Sequence, residues 1–372
     1  MQTENFRIEI DGIEADDLYP SLLGLEVELD DELAAMLRLR LVMDQRSEGG
    51  WTLVDDERLA VWGQVKIMAG FAGAAEELID AVITHLRPDF DPDPGRCSLE
   101  VWAVDRSTLM DRQEVSKAWP NRRDSDIARE ILSAHGLRAD VEDTKVSHDE
   151  PVSTVIQRET DMQFLTRLAL RNGFECFVEG TTGFFRAPRL DGPPQPVLAA
   201  HFGEATTLRR FSAEVNATTP TEVTMSQLTR ASKEIVTGAA TTSPQTLLGL
   251  AGSIQLRLAG LPPARTVLAQ APATGETELA VLCQSLHDRS DWFVEGRGEV
   301  VANHYGHVLR PRRTVTVKGV GEMHSGVYYV SHVTHVFAPD GYIQRFTARR
   351  NGLMPTGAEQ FTEPAGLQGG TV

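Results

Sequence analysis

From Arg312 to Asn351 apolar and polar residues alternate with period two in three short runs. Val315 and Val317 alternate with threonines and a lysine, the pattern of a half-buried strand, and Gly319 and Gly321 stop the run. A second run places Tyr328, Val330, His332, Thr334 and Val336 on one face and Tyr329, Ser331, Val333, His335 and Phe337 on the other. Pro339-Asp340-Gly341 predicts a turn, with the glycine free to take a positive φ. A third run, Tyr342 to Arg349, alternates Ile343, Arg345 and Thr347 with Tyr342, Gln344 and Phe346. Three such runs predict an antiparallel meander, which is stable only against a partner sheet.

The same layout occurs early. Gly63-Gln64-Val65-Lys66-Ile67 is similar to Thr314-Val315-Thr316-Val317-Lys318, and Val82-Ile83-Thr84-His85 parallels His332-Val333-Thr334-His335. Ser98 to Arg106 matches Ile343 to Arg350 in alternation and in its closing arginine. We read this as one β-module present twice. Phe6, Ile8 and Ile10, ending at Asp11-Gly12, and the runs Leu22 to Glu28 and Leu37 to Met43 complete the early copy. Asp30-Asp31-Glu32-Leu33 predicts a short helix between the last two runs, and Trp51 to Val61 a loop. Glu76 to Ile83 fits helix or strand by periodicity, and the parallel with the late copy favours strand.

Between the copies the period changes. Asp124 or Ser125 caps a helix carrying Ile127, Ala128, Ile131 and Leu132 on one face, closed by Gly136. A strand at Leu137 to Val141 follows. Thr160-x-x-Gln163 is a capping box for a second helix with Phe164, Leu165, Leu168 and Ala169, ended by Asn172-Gly173. Phe174 to Val178 and Gly183 to Arg186 predict a hairpin, and Pro188 to Pro196 reads as a linker. Leu208, Phe211, Val215, Val223 and Met225 predict the first strands of the late copy. Thr237 to Thr277 reads as an insertion whose apolar stretch Leu247 to Leu261 has no evident place. Thr277 to Arg289 is a helix with Leu279, Leu282, Cys283 and Leu286 along one stripe.

The fold class expected is α+β, mainly β. Its parts are a first β-module at 1–106, a small α/β domain at 107–197 and a second module at 198–236 and 297–352. An insertion with linker and helix occupies 237–296, and a flexible tail 353–372. A chain of 372 residues has room for these cores.

Net charge is −17, which argues against a nucleic-acid grip, since that needs a basic face. The expectation is no stable nucleic-acid binding. Cys97, Cys176 and Cys283 are far apart in apolar segments and predict buried, reduced thiols. The polar, acidic start has no signal-peptide character, and no apolar run has the length of a membrane span. The expected site of synthesis is the cytoplasm.

Candidate chemistry falls away on inspection. Asp89, Asp91, Asp93 and Glu100 have the carboxylate spacing of a calcium loop, but Pro94 stands where the sharp turn needs glycine. An acidic turn between two strands accounts for them. His304, His307, His324, His332 and His335 cluster in sequence, yet three residues along a strand put His332 and His335 on opposite faces. Gly296-Arg297-Gly298 lacks the third glycine and the context of a dinucleotide fingerprint and is read as a turn. No catalytic, cofactor-binding or metal-binding residue is assigned, and the chain is read as not an enzyme, without cofactors.

The late meander, with Val294 to Val300 and Leu309-Arg310-Pro311 before it, resembles the end of the phage late control gene D family. Phe6-Arg7-Ile8-Glu9-Ile10-Asp11-Gly12 is similar to its start, and Gln157-Arg158-Glu159-Thr160-Asp161 with Phe164-Leu165 to its most recognisable stretch. The resemblance covers about residues 5 to 352. It implies a baseplate hub of a contractile tail or contractile injection system, with two tube-type β-barrel modules per chain. Three chains would form a homotrimeric ring that adapts a hexameric inner tube to a trimeric spike, with an acidic surface toward the channel. VgrG-type hubs of this kind carry the spike on the same chain. Here nothing after Arg350 has strand character, so a separate spike protein is expected, alongside the inner tube protein and other baseplate proteins. A tail-associated peptidoglycan hydrolase, or a non-catalytic binding module of another assembly, is the alternative. Phage tail, bacteriocin and extracellular injection system are left open.

Overall fold

The structure is a computed structural model, and it describes residues 4–361 apart from 72, 229–232, 257–258, 270–272, 340 and 360. Strands dominate it. Six occupy the first part of the chain: β1 (Glu4–Ile10), β2 (Leu22–Asp30), β3 (Met36–Val42), β4 (Gln64–Phe71), β5 (Ala74–Asp89) and β6 (Ser98–Asp105). Six more follow the middle region: β7 (Gln195–Ala199), β8 (Leu208–Val215), β9 (Val294–Val301), β10 (Thr314–Lys318), β11 (Gly326–Ala338) and β12 (Gly341–Arg350). With the short strand Ile13–Glu14 they make one 13-stranded sheet among the described residues.

The first six lie in space as β2-β3-β6-β5-β4-β1 and the second six as β8-β9-β12-β11-β10-β7. The strand order is the same twice. Irregularities repeat with it: the β2–β3 ladder shifts between Leu22 and Gly24, and the β8–β9 ladder between Leu208 and Arg210. The β5–β6 ladder shifts between Ile83 and His85, and the β11–β12 ladder between Val330 and His332. Trp62 and Arg312 both take a positive φ, at 72° and 59°. Each donates its backbone N–H to the fifth strand of its set, Trp62 to Ile83 at 2.7 Å and Arg312 to Val330 at 2.8 Å. One pairing breaks the match, because β1 runs antiparallel to β4 whereas β7 runs parallel to β10.

These ladders correct the residue correspondence expected from the sequence. Ser98 does match Ile343. Aligned on their bulges, however, His85 corresponds to His332 rather than His335, and Gln64 rather than Gly63 to Thr314. The bulge at Ser331 also overturns the expected faces of β11. One extra residue shifts the alternation, so Tyr328 and Val330 share a core with Val333, while Tyr329 packs with Leu190 and Leu248 on the other side. Asp340, the centre of the expected turn, lies outside the described residues.

Other expectations fail for visible reasons. Where a helix was expected over Asp30 to Leu33, Asp30 ends β2 and Asp31 to Leu33 form a bend, since the Asp30 carboxylate accepts from the N–H groups of Glu32 and Leu33 and closes a side-chain turn. Gly296-Arg297-Gly298 is not a turn but the middle of β9. A Cβ on Gly298 would sit 2.4 Å from the Phe346 ring, and one on Gly296 2.8 Å from that of Phe211. The glycines make room for aromatic rings. Val223 and Met225 lie outside the large sheet, in a hairpin of Glu222–Leu228 and Ile235–Ala240 that also pairs with Arg265–Leu268. Helix α3 (Glu276–Ser290) covers that hairpin with Leu279, Leu282 and Cys283, as the stripe predicted.

The region between the strand sets holds α1 (Asp124–Ala134) and α2 (Asp161–Asn172) against a hairpin, Glu175–Glu179 with Thr182–Arg186. Arg138–Val141 pairs parallel to the second hairpin strand. Thr160 caps α2 through the Gln163 N–H and Gly173 ends it at φ 71°. α1 has Arg123 at its cap without a side-chain bond. Its first residue, Asp124, is turned inward to His148 and Asn172.

Chain continues in strand form past Arg350, against expectation: Gly352–Leu353 pairs with Ala251–Gly252 from the Leu247 to Leu261 stretch. Arg350 itself is fully buried, with Nε donating to the Leu248 carbonyl at 2.7 Å, Nη1 to Ser325 at 3.1 Å and Nη2 to Met354 at 2.7 Å. Residues 362–372 of the expected tail lie outside the described residues. The three cysteines are buried and unpaired.

Candidate assembly site

The two strand sets meet edge to edge. β11 is long enough to serve two partners on one side: Gly326 to Tyr329 pair with β10, and His332 to Phe337 pair with β2. The register runs from His332 opposite Asp30 to Phe337 opposite Leu25. Leu25, Val27, Leu29 and Phe337 lie in one core beside this seam and Val333 in the core of the second set, all of them buried.

Charged groups lock the seam from its end. His332 Nδ1 lies 3.0 Å from Asp30 Oδ2, and the Asp31 N–H donates to the Ser331 carbonyl at 2.8 Å. The Arg312 guanidinium donates to the Asp30 carbonyl and stands 3.7 Å from the Phe177 ring. Arg349 pairs with the buried Asp31 and lies over the Trp292 ring. Thus the second strand set, the first set and the small middle domain share one polar cluster.

Burial pushes the Asp31 carboxyl up to about 7, against the pull of Arg349. The hydrogen bond to Asp30 raises the His332 pKa above its ordinary value. Burial opposes the charged form of Asp30, yet the bonds from His332 and from the Glu32 and Leu33 N–H groups hold its pKa below the ordinary value.

Away from the cores the sheet turns a polar face outward across the seam. Arg38 contacts Glu100 at 2.7 Å with Arg40 at 3.5 Å, and Arg345 contacts Glu299 at 3.2 Å with Arg209 at 3.1 Å. Acids and bases alternate there from strand to strand. Each such exposed pair adds only about 0–1 kcal/mol, so the effect is a hydrated wall of mixed sign rather than extra stability.

The histidines singled out in the sequence are dispersed. His332 sits in the seam, His335 is buried against Tyr342 Oη at 2.7 Å, and the His307 ring packs on Tyr305. Asp93 serves its own turn by accepting from Gly95 N–H at 3.1 Å. Among the described residues no group of three or more His, Cys, Asp or Glu is placed to hold a metal. Sequence reasoning missed Asp31, Arg312, Arg349 and Trp292, the residues of the lock. The only written signals were an acid pair ending one strand and an arginine pair ending another.

A family model described as the Alg8 N-terminal domain matches residues 1–338. It is a different family model from that of late control gene D. No curated protein sequence matches the chain. The fold is similar to that of the 43 kDa tail protein of prophage MuSo2 from Shewanella oneidensis, with a TM-score of 0.67, 12% identity and coverage of 94% of this chain and 99% of that one. A tail protein from Neisseria meningitidis gives 0.64 at 13% identity, covering 94% and 98%. An E. coli component of the type VI secretion system, itself similar to the T4 tail proteins gp27 and gp5, gives 0.57 at 14% identity, covering 94% and 79%.

Proposed function

This chain belongs to the family described as the Alg8 N-terminal domain; from its fold, which is similar to that of phage tail proteins, we propose that it is a structural, non-catalytic hub subunit of a contractile tail or injection particle. In this reading it is a hub of the late control gene D type. Each strand set is one barrel module, and three chains close a ring of six modules. Such a ring offers six near-equivalent positions to a hexameric tube and three to a trimeric spike, so the mismatch in symmetry is absorbed within one chain. Inner tube, spike and other baseplate proteins are its partners, and assembly takes place before the particle is released.

The observation that carries this is the repeated strand order with the two sets joined edge to edge. Repetition of that join between chains is the simplest way to close the sheet and remove open edges. The polar face is the proposed channel lining. Its alternating arginines and glutamates would give that lining both signs, where an acidic surface was the expectation, and a wall of both signs holds neither polyanion nor polycation strongly. Light scattering with negative-stain imaging tests the reading. A ring of three times the chain mass is expected, and a monomer or dimer at all concentrations would overturn it.

A further inference from the structure

Within the chain, the C-terminal half of β11 is covered by β2. The same half of β5, residues 84–89, has no strand on that side, and the outer edge of β8 is likewise open among the described residues. β4 stops pairing with β5 at the Ile83 bond to Gly63, as β10 stops at the Val330 bond to Arg313. The repeat therefore leaves one vacant edge of each kind that the chain has already joined once.

Resting on the ring reading above, we propose that β8 of one copy of this chain docks on the free half-edge of β5 of a second copy, in the register of the internal seam. Matching the sets at their shared bulges carries Val333–Leu29 to Leu86–Val215, Thr334–Glu28 to Arg87–Glu214, and Phe337–Leu25 to Phe90–Phe211. The chemistry of these pairs fits. Apolar meets apolar twice, and arginine meets glutamate once. Phe90 is 53% exposed, and Phe211 and Val215 remain half-buried although they hold the places of the buried Leu25 and Leu29. Arg87 and Glu214 are both exposed, and neither has an ion-pair partner among the described residues.

Pro88 sets the character of this joint. The Cys97 carbonyl accepts from Met43, so alternate residues Ser98, Glu100 and Trp102 turn toward β5, where their partners are Asp89, Arg87 and His85. Leu86 and Pro88 consequently face the open side. Pro88 lies opposite Ala213 in the transferred register and supplies no N–H, so that step of the ladder has one hydrogen bond instead of two. The joint between copies is then weaker than the internal seam, and an unassembled edge is protected from indiscriminate pairing.

On the internal seam the Asp31 N–H bonds to Ser331, so Leu29, Val27 and Leu25 exchange the ladder bonds and Glu28–Thr334 is a non-hydrogen-bonded pair. Its counterpart Arg87–Glu214 would bring Cα atoms to about 4.5 Å, within disulfide reach. The full chain carrying Arg87→Cys and Glu214→Cys should, on oxidation, give covalent dimers and trimers on a non-reducing gel, while either single variant should not. The native cysteines are buried and do not interfere. A pair slipped by one residue, Arg87→Cys with Ala213→Cys, should cross-link poorly. As a second measurement, Arg87→Glu should weaken association about fivefold per joint, with recovery on adding Glu214→Arg. A trimer that forms without this cross-link would overturn the edge assignment and leave the ring standing. Cross-linking that ends at dimers would uphold the edge and overturn the ring, and a chain that stays monomeric would overturn both.

Discussion

β2 and β8 hold the same place in the two strand orders, but their inward side chains have unlike surroundings. Leu25, Val27 and Leu29 are buried, whereas Phe211, Ala213 and Val215 are only half so. The local sequences both alternate correctly. What differs is the neighbour beyond the edge, present for β2 and, among the described residues, missing for β8. Burial here is a property of the assembly of strands, not of the strand. The cores diverge in a second way. The row Leu25–Leu39–Val101 in the first set becomes Phe211–Gly298–Phe346 in the second, so one set packs by even volumes and the other by ring, gap, ring.

The largest expected effect uses one sheet position in both sets. Val333→Asp puts an unpaired charge into a closed core and should lower the melting temperature by on the order of 10 °C or prevent folding. Leu86→Asp, its counterpart on the open edge, should change the melting temperature of the unassembled chain by only about 2 °C. Equal losses in a thermal melt would mean the two edges are not different in kind.

Overpacking comes next. Gly298→Leu copies the Leu39 of the first set into a site where the Phe346 ring already stands, and should cost about 1–3 kcal/mol. Combining it with Phe346→Val, to approach the Leu-Leu-Val row, should recover part of that loss in denaturant titrations. If the double variant is worse than both singles together, the two rows are not interchangeable solutions.

The smallest effect concerns pH. Both the Asp31 and His332 pKa values are raised in the folded chain, so each group supports folding most below its unfolded pKa. For Asp31 that support fades as pH rises from about 4 to about 7, and for His332 above about 6.5. The seam should therefore be firmer at pH 5 than at pH 8. Asp31→Asn should flatten this slope in melts across that range, and an unchanged slope would assign the pH response elsewhere.

Much of this architecture was readable beforehand. Period-two runs located the strands of both sets apart from β7 and β9, and Thr160, Gly136 and Gly173 marked helix limits by their own local chemistry. Reading failed where a distant partner decides. Nothing near Ser331 announces a bulge, because the extra residue is defined against β12. Gly296 and Gly298 look like turn residues until the rings of Phe211 and Phe346 occupy the space above them. Asp31 and Arg349 lie 318 positions apart, and neither alone signals a buried pair. The candidate site was the least legible part for this reason: it is made of edges, and an edge is what pairing leaves over.

Arg350 gives the chain a mechanical property. Its guanidinium ties the carbonyls of Leu248, Ser325 and Met354 into one knot immediately after the last long strand. A pull on the polypeptide beyond Met354 must undo the backbone bonds of Met354, the Gly352–Leu353 pairing and the bonds of Arg350 before β12 can be peeled from β9 and β11 one rung at a time. Tension there is shared between this short pairing and one anchored side chain, so the closing strand is insulated from whatever tugs on the residues that follow it.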